Sequence, residues 1–286
     1  MDKKVKNIFK LLGGILAVIA LGVIILFVVL TITEFKPDDV EKISVVAAGS
    51  EVQNVDMDDA DTLENGGRLN VKELSDGDSV RVMTWNTGYA ALGENADFFM
   101  DGGKSVSSSD KETVQENLEA ISEQIEESDP DIVFMQEVDV DSKRSHYINE
   151  LDAITGNLTG YSSTFAENYK TLYVPYPLPT IGKVDCGLAT LSKYEVSDCK
   201  RISLPCPFGY PMRLCNLKRC LMVSRVPIEG SDRELVLVNL HLEAYDEMSK
   251  KAFIKMAQDS GTEKFARAVT SVCAEYLGHC NCRKSC

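Results

Sequence analysis

The sequence is poor in histidine, with three in 286 residues, and in tryptophan, with one, Trp85. Positive charge is also in deficit: 30 basic side chains face 44 acidic ones, leaving a formal charge of −14. That balance argues against a long polyanion-binding track, which needs clustered Lys and Arg to displace condensed counterions. No internal repeat is visible. Cysteine is present but unpatterned, with nine residues at irregular spacing. An odd number leaves at least one thiol unpaired within a monomer, and no disulfide framework follows from the spacing.

One long uncharged run stands out, LLGGILAVIALGVIILFVVLTI from Leu11 to Ile32. At about 1.5 Å per residue, roughly 22 residues match a hydrocarbon core of about 30 Å, so residues 11–32 are expected to form a transmembrane helix. Lys3, Lys4, Lys6 and Lys10 precede it, and Glu34, Asp38 and Asp39 follow it. The positive-inside bias then puts residues 1–10 in the cytoplasm and the main domain outside, on a single-pass cell-membrane anchor. A cleaved signal peptide is the competing reading, but its apolar core runs about 7–15 residues and ends at a small-x-small site. This run is longer and ends in bulky Val, Leu and Ile.

Residues 33–78 are acidic, with short apolar pieces, and read as a stalk with an edge strand or two. From residue 79 the pattern becomes regular. RVMTWN reads as a strand, and Ser109 with Glu112 reads as a capping box. Val114, Leu118, Ile121 and Ile125 then fall on one face of a helix ending near Ser128, and DIVFMQEV reads as a buried strand. HYINELDAITG reads as a helix, and GLATLSKY, RCLMVSRVPI and LVLVNLHL as strands. Strand, helix, buried strand is an α/β rhythm. Lys200, Arg201, Arg213, Lys218, Arg219 and Arg225 could form a local basic face or be solvated charges beside two strands; the latter is preferred.

Asn86, Glu137 and His241 each close an apolar strand, where three polar groups can meet on one rim of a sheet. An amide oxygen and a carboxylate suit a hard cation, Mg²⁺ or Mn²⁺, better than zinc. A nearby imidazole can handle protons or stabilise a phosphoryl oxygen. That combination is the chemistry of metal-assisted phosphoester hydrolysis.

TWNTGY, FMQEVD, GLATLSKY and NLHLEAYD, in that order over residues 80–258, resemble the endonuclease/exonuclease/phosphatase superfamily with its deoxyribonuclease-like fold. DGGK and QEVDVDSKRS are most similar to membrane-anchored bacterial members. The resemblance implies an α/β (α+β), four-layer sandwich of two mixed β-sheets between helices, preceded by one transmembrane helix. It also implies that Asn86 and Glu137 hold the metal and that His241 is the first of two active-site histidines. The expected domain spans residues 79–258.

The family's later Gly-Asp-x-Asn and Ser-Asp-His motifs do not occur here, so the second half of the fold is expected to be incomplete and the stability reduced. Residues 259–286 read as a divergent Cys-rich tail, including a helix-like TEKFARAVTSVCAEYL, as a shifted frame or early stop would produce. His146 reads as a surface residue at a helix start. His279, Cys280, Cys282 and Cys286 lack zinc-ligand spacing, and a metal or redox role for the tail is the weakest reading. The expected function is a membrane-anchored, extracytoplasmic, divalent-metal-dependent phosphoesterase. A small phosphoester or lipid headgroup is favoured as substrate over long nucleic acid. The alternative is an inactive relic or extracellular binding module of the same fold.

Overall fold

The computed structural model describes residues 3–48, 71–92, 105–106, 110–242 and 268–273, the last segment as backbone alone. The apolar run forms helix α1 (Lys3–Ile32), which begins well before the expected Leu11 and is long and apolar enough to cross a membrane. Its side chains are exposed except for Leu26 and Leu30, one turn apart near its C-terminal end. The chain then enters the sheets through two short edge strands, β1 (Val40–Lys42) and β2 (Val45–Val46).

Next come β3 (Val82–Asn86), α2 (Lys111–Ser128), β4 (Ile132–Asp139) and α3 (Glu150–Asn157). They are followed by β5 (Ser162–Val174), β6 (Gly182–Ser192), β7 (Asp198–Ser203), β8 (Cys220–Pro227), β9 (Glu234–His241) and β10 (Ala268–Cys273). Sheet one has the order β1-β7-β8-β9-β10, and sheet two the order β2-β5-β6-β4-β3. Each is mixed, with a single parallel pair at one edge: β9 with β10, and β4 with β3.

Helix α2 forms where the spacing predicts, and Val114, Leu118, Ile121 and Ile125 are buried. Burying each of these side chains stabilises the fold by about 1.5–3 kcal/mol. The N-cap is Asp110, whose Oδ1 accepts from the Thr113 N–H at 2.8 Å. The expected cap, Ser109, lies outside the described residues. At the other end Asp129 takes a left-handed conformation, φ 47°, and its N–H closes on the Ile125 carbonyl. The next helix starts later than expected: Asn149 caps α3 by accepting from Asp152 N–H, whereas His146 and Tyr147 form a left-handed turn ahead of it.

Strand β4 is buried on both faces. Val133 and Met135 face α2 and α3 together with Ala189 and Leu191, while Ile132 and Phe134 face sheet one, against Val226 and Leu237. Sheet two is thus packed between helices and sheet one. On the far face of sheet one, Leu204, Leu221, Val238, Leu240 and Leu242 are all buried.

Two expectations need correction. AVTSVC is not helical: Val269, Thr270 and Val272 are β-branched, and the segment completes the backbone hydrogen bonding of β9 as parallel strand β10. The outer edge of β9 is therefore paired. The reading of the basic stretch as solvated charges holds for Lys200 and Arg213, which are exposed, and fails for Arg201 and Arg219. Arg201 and Arg219 are buried, and Arg201 donates to the Glu167 and Lys218 carbonyls and to Ser203 Oγ. Among the described cysteines, Cys186, Cys199, Cys206, Cys215 and Cys220 are free thiols.

Candidate active site

The C-terminal ends of β3, β4 and β9 come together, and they bring Asn86, Glu137 and His241 to one rim. Asn86 lies in register with Gln136 on the neighbouring parallel strand. Its Oδ1 accepts from the Gly88 N–H at 3.0 Å, which fixes the side chain at the strand end. An amide oxygen has two lone pairs, so this bond leaves acceptor capacity. Thr87 ties the two strand ends together: its hydroxyl donates to the Gln136 and Glu137 carbonyls at 3.1 and 3.3 Å.

Glu137 reaches the rim because β4 breaks its alternation there. Gln136 pairs with Leu188 and Val138 with Gly187, so Glu137 is the additional residue of a β-bulge, with φ 59°. In regular pleating it would follow Val133 and Met135 toward the helices; instead Val138 takes that place. The freed carboxylate lies 3.8 Å from His241 Nε2, on the other sheet. Gly187, the β6 residue paired with Val138 after the bulge, is itself packed tightly against β5. A Cβ there would fall 2.3 Å from the Ala166 carbonyl oxygen, and β5 also shifts register opposite Gly187, between Glu167 and Tyr169.

His241 follows Leu237 and Asn239 along the inner face of β9 and is buried, at 1% exposure. Among the described residues neither ring nitrogen has a hydrogen-bond partner. Burial, with the positive charge of Arg219 adding to it, pushes its pKa down to about 3, so the imidazole is neutral at physiological pH.

Sequence reasoning missed the polar framework behind these groups. Asn239 Nδ2 donates to the Met135 and Ala189 carbonyls at 3.1 and 2.9 Å, and its Oδ1 accepts from Gln136 Nε2 at 2.8 Å. This network pins the two sheets directly beneath the site. Its sequence signal was an amide in the middle of each apolar run, VFMQEV and VLVNLHL.

A second network holds the loops. Arg144 makes a bidentate pair with Asp139 at 2.8 and 2.9 Å and stacks 3.9 Å above the Tyr89 ring. Glu150 Oε2 accepts from the Asp139 N–H at 2.9 Å. Burial, followed by the charge of Asp139, pushes Glu150 well above the usual carboxylate range.

Of the six non-glycine residues with left-handed φ among the described residues, five lie at the end of β4 or in the loops leaving β3 and β4: Tyr89, Ala90, Glu137, His146 and Tyr147. Such strain costs energy and concentrates at functional sites. A separate cavity of about 360 Å³, lined by Lys72, Leu74, Glu195, Val226 and Pro227, contains none of the three rim residues.

The profile of the Endonuclease/Exonuclease/phosphatase family matches residues 83–250. The chain belongs to that family. No curated protein matches it. Among solved structures, it is similar to the human Nocturnin catalytic domain with bound sulfate, at 20% identity and a TM-score of 0.43, covering 70% of this chain and 64% of that one. An endonuclease/exonuclease/phosphatase protein from Beutenbergia cavernae matches at 20% identity and a TM-score of 0.41, covering 63% and 43%. A mannosyl-6-phosphatase from Bacteroides thetaiotaomicron matches at 15% and 0.40, covering 68% and 64%. The chain therefore spans less than two thirds of each of these relatives.

All four segments that carried the resemblance fall within the family match, and three of them end at the rim. The family's Gly-Asp-x-Asn and Ser-Asp-His patterns are absent from the sequence after His241. His279 and the tail cysteines Cys280, Cys282 and Cys286 lie outside the described residues. His146 is half-buried in its turn and is not among the groups at the rim.

Proposed function

We propose that this protein is a membrane-anchored phosphoesterase that uses a divalent cation, with its catalytic domain on the extracytoplasmic side. The observation that carries the reading is the bulge at Glu137, which aims a carboxylate across the sheets to within 3.8 Å of His241, beside Asn86.

The donors fit a hard ion. Asn86 Oδ1 and the Glu137 carboxylate are oxygen ligands on adjacent strand ends, and Mg²⁺ or Mn²⁺ keeps several waters and needs few protein ligands. An amide oxygen and a carboxylate, with no thiolate beside them, are not the Cys and His set that zinc prefers. When bound, such an ion polarises a phosphoryl oxygen and offsets its charge. His241, neutral and shielded from water, supplies either an N–H to a phosphoryl oxygen or a lone pair to a proton. Both are strengthened by low local polarity. Arg219 adds positive charge behind the imidazole, and Thr87 and the Arg144–Asp139 pair keep the strand ends in place.

The substrate we favour is a small phosphoester or a lipid headgroup. The net charge of −14 and the internal use of Arg201 and Arg219 leave little surface for long nucleic acid. Lysines in the first turns of α1 and acids after it support a cytoplasmic N-terminus.

The test is hydrolysis of bis(p-nitrophenyl) phosphate by the full chain with Mg²⁺ or Mn²⁺, abolished by a chelator and by Glu137→Ala. One observation favours the second reading, a catalytically silent member of the fold: β10, beside His241, carries no acid and no histidine in AVTSVC. Absence of turnover at high protein concentration with either ion would select it.

A further inference from the structure

Outside α1, the four most exposed large apolar side chains among the described residues lie in two loops. The β5–β6 loop carries Tyr176 and Leu178, 74% and 84% exposed, and the β7–β8 loop carries Tyr210 and Met212, at 59% and 63%. The loops share one base. Tyr169 Oη donates to the Cys215 carbonyl at 2.9 Å, and Thr171 Oγ1 donates to the Leu214 carbonyl at 3.2 Å. The 3-10 turn Met212–Cys215 is thereby strapped to β5, with exposed Leu172 alongside.

The same base holds the end of α1, which packs on both that turn and β5. Just past the helix, the buried Glu34 carboxylate pairs with Arg213 Nε at 3.1 Å and Lys218 Nζ at 3.4 Å, and its second oxygen lies 3.5 Å from Lys36. The Phe35 ring sits 5.6 Å from the Arg201 guanidinium. The domain is therefore held directly at the point where the helix ends.

Helix geometry sets the depth of this contact. Leu26 and Leu30, the α1 residues shielded from solvent, share one face at i and i+4. Leu26 lies about 9 Å of helical rise before Ile32, so the domain reaches alongside the apolar part of the helix. Side chains projecting there meet whatever surrounds α1. Tyr prefers the boundary between headgroups and acyl chains, and Leu and Met prefer the acyl side of it. Arg213 and Lys36, both exposed beside the Glu34 carboxylate, lie where headgroup phosphates would meet them.

We propose that the β5–β6 and β7–β8 loops dock on the bilayer surface beside α1, with Tyr176, Leu178, Tyr210 and Met212 immersed in the lipid interface. This rests on the reading of α1 as a membrane span. Docking at two points fixes the orientation of the domain, where a tether alone would let it swing.

The experiment uses the full chain in nanodiscs of phosphatidylcholine, with and without dibrominated acyl chains that quench nearby tryptophan. Single substitutions Leu178→Trp and Tyr210→Trp report on the loops, and Ile24→Trp reports on the span. Val71→Trp, beside Lys72 at the β4-start end of sheet two, is the exposed control, with natural Trp85 as the background. The expected result is quenching of the loop probes at least about twofold above Val71→Trp, together with quenching of Ile24→Trp. If Ile24→Trp is quenched and the loop probes match Val71→Trp, the span stands and the docking proposal is overturned. If Ile24→Trp is itself unquenched, the membrane-span reading fails and the proposal falls with it.

Discussion

The two sheets are built alike at the edge that carries the site, and they are loaded differently. Each contributes one parallel strand pair, β3 with β4 in sheet two and β9 with β10 in sheet one. In sheet two the outer strand brings Asn86 beside the strand that carries Glu137. In sheet one the outer strand places Cys273 in register with His241, within a segment that has no acid or histidine. Parallel pairing delivers strand ends to a common rim whatever their sequence. Chemistry depends on which residues stand at those ends, so architecture and activity are separable in this chain.

His241 is the contribution of sheet one to the rim, and its removal gives the largest expected effect. His241→Ala should lower metal-dependent phosphodiester turnover by about 10²–10⁴-fold, the range for loss of a positioned acid–base group. The urea midpoint should fall only modestly, because truncating the buried ring leaves a cavity but breaks no hydrogen bond to the described residues. Equal turnover in both proteins would mean that sheet two performs the chemistry alone.

Gly187→Ala attacks the bulge instead. The added methyl meets the Ala166 carbonyl oxygen at 2.3 Å, so β5 or β6 must move, and β6 is the strand that pairs with the bulge; the cost is about 1–3 kcal/mol. Because the bulge aims Glu137, turnover should fall together with the urea midpoint. A variant with native stability and native turnover would show that Glu137 does not need the bulge.

Much of this was legible in the sequence, for physical reasons. Continuous apolar runs gave β4 and β9, a 3.6-residue period gave α2, and polar residues at strand ends gave Asn86, Glu137 and His241. Strands β5 and β7 were missed because SSTFAENYKTLYV and DCKRIS mix polar and apolar residues without a clean period. The burial of Arg201 came from the carbonyls of Glu167 in β5 and Lys218 in the β7–β8 loop, which no local pattern encodes. AVTSVC was read as helix because its neighbours suggested one, and pairing to an open strand edge outweighed that local preference. The bulge was invisible, since FMQEVD alternates normally as written and only its pairing with β6 reveals the extra residue.

Asn239 joins the two halves, so Asn239→Leu tests whether they act as one unit. The change keeps a similar volume but removes the acceptor of Gln136 and the donors to the Met135 and Ala189 carbonyls. Leaving buried polar groups unmatched costs about 1–3 kcal/mol. The urea midpoint should fall, and turnover should fall with it as the Glu137–His241 spacing loosens. A large stability loss with unchanged turnover per folded molecule would place the rim geometry under local control of the bulge.

Glu150 lies on the sheet-two side of the comparison and tests it most gently. Burial and the nearby charge of Asp139 raise its pKa well above the 4.5 of a free carboxyl. Over the interval between those two values the folded protein holds a proton that the unfolded chain has released. Stability therefore falls as pH rises from about the unfolded value toward the folded one, the reverse of a salt-bridged carboxylate. Glu150→Gln keeps an oxygen to accept the Asp139 N–H and removes the ionisation. Its melting temperature should match the natural chain in acid and exceed it near neutral pH, with the gap widening as pH rises between them. Parallel melting curves across that range would mean that Glu150 is ionised in the fold and compensated by Arg144.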